Sequence, residues 1–461
     1  MSREQKYNSI NDCIQPPIHN IRAFGYSTGN FGKNIVANTL AYFLLFYITD
    51  ILNIAAKTAG VVILVALIFD AILDPLMGFI SDRTYNRFGK YGTFILLGAP
   101  LCAISFIAIF ILPLVSDRPL ITLIACLLIF RASYTLIDLP HNALLARIST
   151  NSQERAKIAS MRFFCSSVGS LGVSLAAFHI FNPKVGANQA LMFQQFSVIA
   201  AFFSLLSMYL SWFSVRKRDR NATNTLPSIQ GQIKGLIIIF RDRQSHVVIL
   251  AGFFAAMCIP IFAKGLTYFC KYNLEDQNLI AVGLTTTVVS QAISTIFWAF
   301  LSQKFNKSTV LIWAHILSAV SMSGFCLTVS SSGLLFIFWC VLIGWGAGGI
   351  WSVIWGMVPD VIDNLHLKTG HRSEAVFVSM VVVFMKIAHG IGAGVFAFLL
   401  ADAGYSANIT QSPETLSQIR WSMCFIPVAG ALLSIIVLIF YNISHETHRY
   451  IAQGLLAKKL K

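Results

Sequence analysis

The chain has 461 residues, of which 56% are hydrophobic and only 11% are charged. Charged residues make up about 25% of an average soluble protein, and a soluble fold of this length cannot bury so much apolar surface. These figures exclude a soluble domain, a disordered chain and a disulfide scaffold, and they indicate an integral membrane protein.

The formal net charge is +15, from 34 Lys and Arg against 19 Asp and Glu. In a soluble protein this excess would indicate nucleic-acid binding. Here the basic residues lie mainly in short segments between apolar runs, which is typical of membrane proteins because basic loops resist translocation. We therefore expect no nucleic-acid partner. The expected partners are the lipid bilayer and a small molecule, bound by a monomer.

Apolar runs long enough for a membrane helix recur along the whole chain. About 20 residues are needed to cross the hydrocarbon core as an α-helix, and the alternation expected of a membrane β-barrel is absent. The sequence therefore predicts an all-α membrane protein with twelve transmembrane helices. The predicted spans lie near residues 31–50, 58–80, 93–115, 119–147, 158–181, 193–213, 245–270, 279–302, 309–330, 333–358, 374–401 and 418–442.

A hydrophilic stretch at residues 214–244 divides these spans into six and six. We predict a six-helix bundle at residues 1–213, a cytoplasmic linker loop at 214–244, and a second bundle with a cytoplasmic tail at 245–461. Two such halves are typical of secondary transporters, which bind their solute near the bilayer midplane. The sequence therefore indicates a transporter that works by alternating access.

The basic residues also predict the orientation of the chain. If the N-terminus is cytoplasmic, the basic residues of the loops fall mostly in cytoplasmic segments, so both termini are expected inside. The first 22 residues lack the apolar core of a cleaved signal peptide, which favours a bacterial inner membrane. The exceptions, in predicted outer loops, are Lys57, Arg118, Lys184, Lys271 and Arg420.

Apart from residues at the approximate ends of the spans, eight charged side chains fall inside the predicted spans. Each costs about 2.5–3.5 kcal/mol at the centre of a membrane helix unless it faces a cavity or an opposite charge. Such a number is hard to explain in a purely structural protein, so we expect several of them to bind a transported solute or ion. They are Lys33, Asp70, Asp74, Arg131, Asp138, Arg162, Lys264 and Lys386.

Two of these acids are close together on the second span. Asp70 and Asp74 are four residues apart, which places them one turn apart on the same face of a helix. Two carboxylates at this spacing repel each other unless a cation, a proton or a lysine such as Lys386 lies between them. We therefore expect a positive charge at this position.

A third acid, Asp138, shares a face of the fourth span with the hydroxyl of Thr135. Three hypotheses are open for these groups. Carboxylate and hydroxyl oxygens suit Na⁺, which Asp70, Asp74 and Asp138 would bind together. Buried carboxylates can carry a proton instead. Alternatively, the acids only pair with a basic residue such as Arg162 to hold the helices together.

Glycines are concentrated in the tenth and eleventh spans, where they would allow neighbouring helices to approach closely. They are Gly344, Gly346, Gly348, Gly349, Gly390, Gly392 and Gly394.

Several motifs resemble those of one transporter family. The segment DAILDPLMG after Phe69 resembles the DAxxDPxxG signature of the glycoside–pentoside–hexuronide:cation symporters, the melibiose-permease group of the major facilitator superfamily. This resemblance implies the major facilitator fold and cation-coupled symport of a sugar or sugar derivative, with Na⁺ or H⁺ as the coupling ion and no cofactor. Similar motifs are FGKN (31–34), YTLIDLP (134–140), MRFF (161–164) and PDVIDNLHLKTGHRSEA (359–375).

The resemblance also implies roles for particular residues. The family's coupling-cation site corresponds here to Asp70, Asp74, Asp138 and Thr135, with Lys386 beside it. Its sugar-binding cavity corresponds to Lys33, Arg162 and Trp351.

Salt bridges between two loops are expected to form an inner gate once the cation site is filled. One loop follows the second span and is basic, and the other follows the tenth span and is acidic. Their residues are Asp82, Arg83, Arg87 and Lys90 in the first loop and Asp360 and Asp363 in the second.

The chain departs from the family pattern at two positions of the cavity. Asn34 stands where the melibiose permeases have an Asp that binds sugar hydroxyls, and Asn142 stands where they have a Trp. Arg131, two turns before Asp138, replaces a neutral residue. Loss of an acid and gain of a cation favour a negatively charged substrate such as a hexuronide, which Arg131 would bind.

Two other functions compete with sugar symport. Similar signatures occur in transporters of lysophospholipid-like amphiphiles, and a chain with 37 Phe could line such a path. A membrane-embedded enzyme would need a nucleophile with a base or a metal cluster. The spacing of the candidate histidines His141, His366 and His371 fits neither.

Overall fold

The computed structural model describes residues 18–84, 88–148, 152–181, 188–221, 229–329, 333–370 and 374–460. Within these ranges the chain forms α-helices joined by short connections, and it contains no β-strand. The helices are α1 (Asn20–Phe46), α2 (Ala56–Arg83), α3 (Gly92–Val115), α4 (Pro119–Ile148), α5 (Ser152–Ile180), α6 (Gln189–Asn221), α7 (Ile229–Arg241), α8 (Arg243–Tyr268), α9 (Asn278–Lys304), α10 (Lys307–Thr328), α11 (Leu334–Thr369), α12 (Glu374–Asp402), α13 (Pro413–Leu438) and α14 (His445–Leu460).

In this described part of the chain, twelve helices are long and apolar enough to cross a membrane, which confirms the predicted number of spans. They are α1–α6 and α8–α13. Helices suit this role because all backbone polar groups of a membrane span must be satisfied without water. A short π-helical turn at Tyr47–Ile51 extends α1. A second one, at Phe269–Asn273, extends α8.

Several helices are longer than the apolar runs that predicted them. Helix α1 begins at Asn20 rather than near residue 31, and α11 continues to Thr369 rather than ending near 358. The predicted spans include only the apolar residues that would lie in the hydrocarbon core. The helices continue beyond it through polar residues. The loop predicted for Asp360 and Asp363 is therefore wrong, because both residues lie within α11.

The predicted linker loop at residues 214–244 is largely helical. Helix α6 continues to Asn221, and α7 occupies Ile229–Arg241. Helix α7 exposes Leu236, Ile237 and Phe240, and an amphipathic helix of this kind is suited to the membrane interface. The predicted cytoplasmic tail likewise contains a helix, α14.

The chain divides into two compact units. One consists of Met1–Asn38, Ile72–Val173 and Phe193–Leu226, and the other of Thr39–Ala71, Ser174–Met192 and Pro227–Lys461. Four borders between these units cut through helices, and the fifth, between Leu226 and Pro227, falls within the predicted linker. The division into bundles at 1–213 and 245–461 therefore stays a prediction.

Glycines bring α11 close to its neighbours in the second unit, as the glycine pattern predicted. A Cβ atom added at Gly344 would lie 2.3 Å from the carbonyl oxygen of Thr287 on α9. One added at Gly348 would lie 2.6 Å from the carbonyl oxygen of Gln291, also on α9. Only glycine permits so close an approach between two backbones.

The substitution Gly344→Ala is expected to destabilise the protein by about 1–3 kcal/mol, because α9 must move to make room for the added methyl group. The midpoint of thermal unfolding in detergent measures this effect. Gly356→Ala is the matched control on the same helix, since a Cβ there meets no atom within 4 Å. Equal unfolding midpoints for the two variants would contradict the close packing of α9 and α11.

Candidate functional site

In the first unit, charged and amide side chains of α1, α4 and α5 form one polar group. Lys33 Nζ donates to Asp138 Oδ1 at 2.7 Å and to Asn142 Oδ1 at 3.0 Å. The same Asn142 oxygen accepts a hydrogen bond from Arg162, whose Nε donates to Asn30 Oδ1 at 3.1 Å. We call these five residues the Asn142 cluster.

The Asn142 cluster has more positive than negative charge, since Lys33 and Arg162 are opposed by the single carboxylate of Asp138. The Lys33 side chain is only 4% exposed, so its ion pair with Asp138 offsets much of the cost of burying its charge. Asn142 is exposed and Arg162 is half-buried. The cationic edge of the cluster is therefore open to a ligand.

The guanidinium of Arg162 lies over a stack of two aromatic rings. It lies 5.6 Å from the centre of the Tyr26 ring, which itself stacks on the His141 ring at 4.6 Å. His141 is fully buried, with Nε2 at 2.9 Å from Ser211 Oγ. His141 therefore helps to fix the position of the Tyr26 ring that contacts Arg162.

A ladder of asparagines joins α1 to α5 beside this cluster. Asn30 and Asn34 both donate to Ser166 Oγ, at 3.1 and 3.0 Å, and Asn38 donates to Ser170 Oγ at 2.7 Å. Asn34 thus lies among neutral amide and hydroxyl groups. Asn30 and Ser166 were not predicted as site residues, although three asparagines at four-residue intervals indicate one polar helix face.

The hydroxyl of Thr135 contacts a carboxylate of the second helix. Thr135 Oγ1 donates to Asp74 Oδ1 at 3.2 Å, and both side chains are buried. The structure therefore brings together two residues that were predicted for the cation site, one from α4 and one from α2.

In the second unit, Lys386 on α12 forms an ion pair with Asp70 on α2. The distance from Lys386 Nζ to Asp70 Oδ2 is 3.2 Å, and the Asp70 side chain is 1% exposed. The lysine that the sequence predicted beside the carboxylates therefore contacts one of them.

Within the residues that the structure describes, no group of three His, Cys, Asp or Glu side chains could hold a metal ion. One cation shared by Asp70, Asp74 and Asp138 accordingly stays a prediction. Arg131 and Trp351 likewise stay predicted substrate-binding residues. Arg131 is half-buried on α4, and Trp351 packs against the apolar core of the second unit.

The predicted inner-gate residues have different surroundings. Lys90 is buried, with Nζ 5.2 Å from the centre of the Tyr91 ring. Arg87 and the side chains of Asp82 and Arg83 lie outside the described residues.

The acidic partners of that gate make contacts within the second unit. Lys307 Nζ lies 2.7 Å from Asp360 Oδ2. His448 Nε2, on α14, lies 3.5 Å from an oxygen of Asp360 and 3.5 Å from one of Asp363. Salt bridges between these acids and the basic loop stay a prediction.

The second unit contains a buried carboxylate that was not predicted from the sequence. Asp50, whose side chain is fully buried, lies in the π-helical turn after α1. Its Oδ1 accepts hydrogen bonds from Lys271 Nζ at 2.7 Å and from the Tyr272 hydroxyl at 2.5 Å. Its Oδ2 accepts from the Tyr405 hydroxyl at 2.7 Å and the Thr49 hydroxyl at 2.6 Å. We call these five residues the Asp50 cluster.

This cluster ties the end of α1 to the end of α8 and to the connection after α12. Burial and the neighbouring Tyr268 and Asp50 raise the pKa of Tyr405 far above its ordinary value, so its hydroxyl stays protonated and donates. The signal that could have found the cluster was the position of Asp50 and Lys271 at corresponding ends of two predicted spans.

Twelve apolar helices with buried ion pairs between them are typical of a polytopic transporter. Residues 25–445 match the family model described as "MFS/sugar transport protein". The match covers nearly the whole chain, so the protein belongs to this family of the major facilitator superfamily.

Individual relatives agree with this assignment. The uncharacterized symporter YnaJ of Bacillus subtilis is 28% identical over 447 residues, which cover 94% of each chain. The isoprimeverose transporter of Lactiplantibacillus pentosus is 24% identical, over 91% of this chain and 88% of its own. The sodium-dependent lysophosphatidylcholine symporter 1-A of Danio rerio is 23% identical, over 92% and 86%.

A solved structure confirms the predicted fold. A bacterial homologue of the human drug peptide transporters PepT1 and PepT2 superposes with a TM-score of 0.66 over 92% of this chain and 98% of its own. Its sequence identity is only 12%, so this likeness concerns the fold alone.

Proposed function

We propose that the protein is a symporter that couples the uptake of a sugar or sugar derivative to Na⁺ or H⁺. It lies in a bacterial inner membrane with both termini in the cytoplasm and works as a monomer. The observation that carries this proposal is the pair of buried carboxylates on α2. Asp70 is held by Lys386, and one turn later Asp74 accepts a hydrogen bond from Thr135.

Coupling requires the cation to bind one state of the transporter more tightly than another, because a ligand with equal affinity for both shifts neither. A buried carboxylate such as Asp74 supplies this difference. Its charge is costly away from water, and a Na⁺ ion or a proton removes that cost only in the state that holds the ion. Asp138 is the third proposed ligand of this ion.

The charge of the cavity supports an anionic substrate. Asn34 replaces an acid of the family pattern, and Arg131 adds a cation. The Asn142 cluster also has more positive than negative charge. A sugar acid such as a hexuronide would balance these groups through charge-assisted hydrogen bonds, which are stronger than neutral ones.

Arg131→Gln is expected to lower the affinity for methyl β-D-glucuronide at least about tenfold, because a hydrogen bond to a charged group contributes about 1.5–3 kcal/mol. Transport of methyl β-D-glucoside, which lacks the carboxylate, should change little. Uptake of both labelled sugars into proteoliposomes measures the effect, with Arg131→Lys as the control that keeps the charge. Equal transport of both sugars, unaffected by Arg131→Gln, would contradict an anionic substrate bound by this residue.

A second candidate substrate is a lysophospholipid-like amphiphile. It is supported by the similarity to a lysophosphatidylcholine symporter and by the many Phe residues of the chain. Competition distinguishes the two candidates. Sugar analogues should block uptake of a sugar, whereas detergents and lysolipids should block uptake of an amphiphile.

A further inference from the structure

We propose that helix α7, together with the start of α8 and the end of α13, binds an anionic phospholipid. Three cations of this surface bind the phosphate of the headgroup, and the apolar side chains beside them cover the acyl chains. Such a site binds the membrane around the protein, whichever solute is transported. The residues of this α7 lipid site are Lys234, Arg241, Arg243, Ile237, Phe240 and Phe440.

The side chains of α7 that the structure describes fall on three faces of the helix. Gly235 and Ile239, one turn apart, are buried against the protein, and Ile239 belongs to the apolar core of the second unit. Leu236 and Phe240, also one turn apart, form a second face that is exposed. Contact with lipid removes such an apolar face from water, so α7 is suited to lie along the membrane surface.

The third face of α7 is basic. Lys234 and Arg241 are both exposed, and they are seven residues apart, which is about two helical turns. They therefore lie on one side of the helix, at the border of its exposed apolar face. Long basic side chains at such a border reach the phosphates of a lipid layer, while their aliphatic parts stay in contact with apolar groups. This arrangement favours a lipid headgroup as the partner of the two cations.

A third cation, Arg243, is held beside the end of α13. Its guanidinium lies 5.3 Å from the centre of the Phe440 ring. The neighbouring Gln244 fixes this contact, because it donates to the Phe440 carbonyl oxygen at 3.3 Å and accepts from the Asn442 backbone N–H at 2.9 Å. Arg243 follows Arg241 by only two residues, so their Cα atoms are at most about 7 Å apart. Both guanidinium groups can therefore reach the same headgroup.

The three cations form no ion pair with an acid in the part of the chain that the structure describes. Asp242 lies between two of them in sequence, but its carboxylate has other partners. Its Oδ1 accepts from Lys368 Nζ at 2.8 Å, and its Oδ2 accepts from the Ser245 backbone N–H at 2.9 Å. Each basic residue near an anionic membrane surface strengthens binding about fivefold. The site therefore favours an anionic lipid over a zwitterionic one.

The apolar side chains of the site favour a lipid over a free anion. Ile237 is exposed and lies one turn from both Lys234 and Arg241, and Phe440 is exposed beneath the guanidinium of Arg243. A soluble phosphate would neutralise the cations but would leave this apolar surface in water. A phospholipid covers both, because its acyl chains lie next to its phosphate.

Native mass spectrometry of the full-length protein in detergent tests this site, with phosphatidylglycerol or phosphatidylcholine added in steps. We expect the wild type to bind phosphatidylglycerol at least about tenfold more tightly than phosphatidylcholine. The double variant Arg241→Gln, Arg243→Gln should reduce this preference to less than about threefold, because two of the three cations are lost. Its affinity for phosphatidylcholine should stay close to that of the wild type.

Two control variants separate the charge of the site from other effects. Arg241→Lys, Arg243→Lys keeps both charges and should retain the preference for phosphatidylglycerol. Lys304→Gln removes an exposed cation outside the site, whose Nζ lies 4.5 Å from the centre of the Phe300 ring, and should also retain it. Thermal unfolding in detergent gives a second readout. Phosphatidylglycerol should raise the unfolding midpoint of the wild type, whereas inorganic phosphate at the same concentration should not.

Three results would overturn the inference. The first is equal affinity of the wild type for the two lipids, and the second is an undiminished preference for phosphatidylglycerol in Arg241→Gln, Arg243→Gln. The third is an equal rise of the unfolding midpoint with inorganic phosphate, which would identify a site for a soluble anion instead of a lipid.

Discussion

Asp74→Asn is expected to abolish cation-driven accumulation of solute while the protein still inserts and folds. The amide keeps a hydrogen-bond acceptor for Thr135 Oγ1, which lies 3.2 Å from Asp74 Oδ1 in the structure. It can neither be protonated near neutral pH nor supply a charge to Na⁺, so the energetic link between ion and solute is lost. Accumulation of methyl β-D-glucuronide in proteoliposomes, driven by an inward Na⁺ or proton gradient, should fall to the level of empty vesicles.

Two controls separate lost coupling from lost folding. Asp117→Asn makes the same chemical change at an exposed residue, and it should accumulate solute like the wild type. Exchange of labelled for unlabelled solute without a gradient should persist in Asp74→Asn, because that process needs only solute binding and alternating access. Retention of gradient-driven accumulation by Asp74→Asn would count against the proposed mechanism.

The second large effect is expected from Asp50→Asn, which should destabilise the protein by about 3–5 kcal/mol. The substitution removes the charge that four donors surround and leaves Lys271, whose side chain is 11% exposed, as a buried cation without its carboxylate. A buried charge that loses its counterion costs more than the pair contributed. The midpoint of thermal unfolding in detergent should therefore fall well below that of the wild type.

Replacing both members of the pair provides the control. The double variant Asp50→Leu, Lys271→Met has no buried charge at this point and should be more stable than Asp50→Asn alone, since apolar residues can replace a buried ion pair at little cost. If Asp50→Asn unfolds at the same temperature as the wild type, the Asp50 cluster has no stabilising role.

The number of spans could be predicted from sequence because it depends only on apolar length, which the bilayer thickness determines. The ends of the helices could not. Helix α1 begins at Asn20 and α11 ends at Thr369, both in polar sequence whose helical state depends on the surrounding protein rather than on the hydrocarbon core. The continuation of α6 to Asn221, inside the segment 214–244, could not be predicted for the same reason.

The ion-pair partners of the charged residues could likewise be predicted only in part. The cost of buried charge predicts that intramembrane residues such as Asp70 and Lys386 must find partners, and the structure pairs these two. Which partner each charge finds depends on the rotation and tilt of its helix, which packing determines and a single sequence does not reveal. Lys33 therefore pairs with Asp138, a contact that the sequence analysis did not predict.

We propose that carboxylates of α2 couple a cation to the solute, and the affinity for methyl β-D-glucuronide, measured with and without Na⁺ at acidic and at alkaline pH, tests this coupling. We expect the affinity of the wild type to rise with Na⁺ or with protons, and the double variant Asp70→Asn, Asp74→Asn to lose this dependence. An affinity of the wild type that is equal under all four conditions would exclude cation coupling.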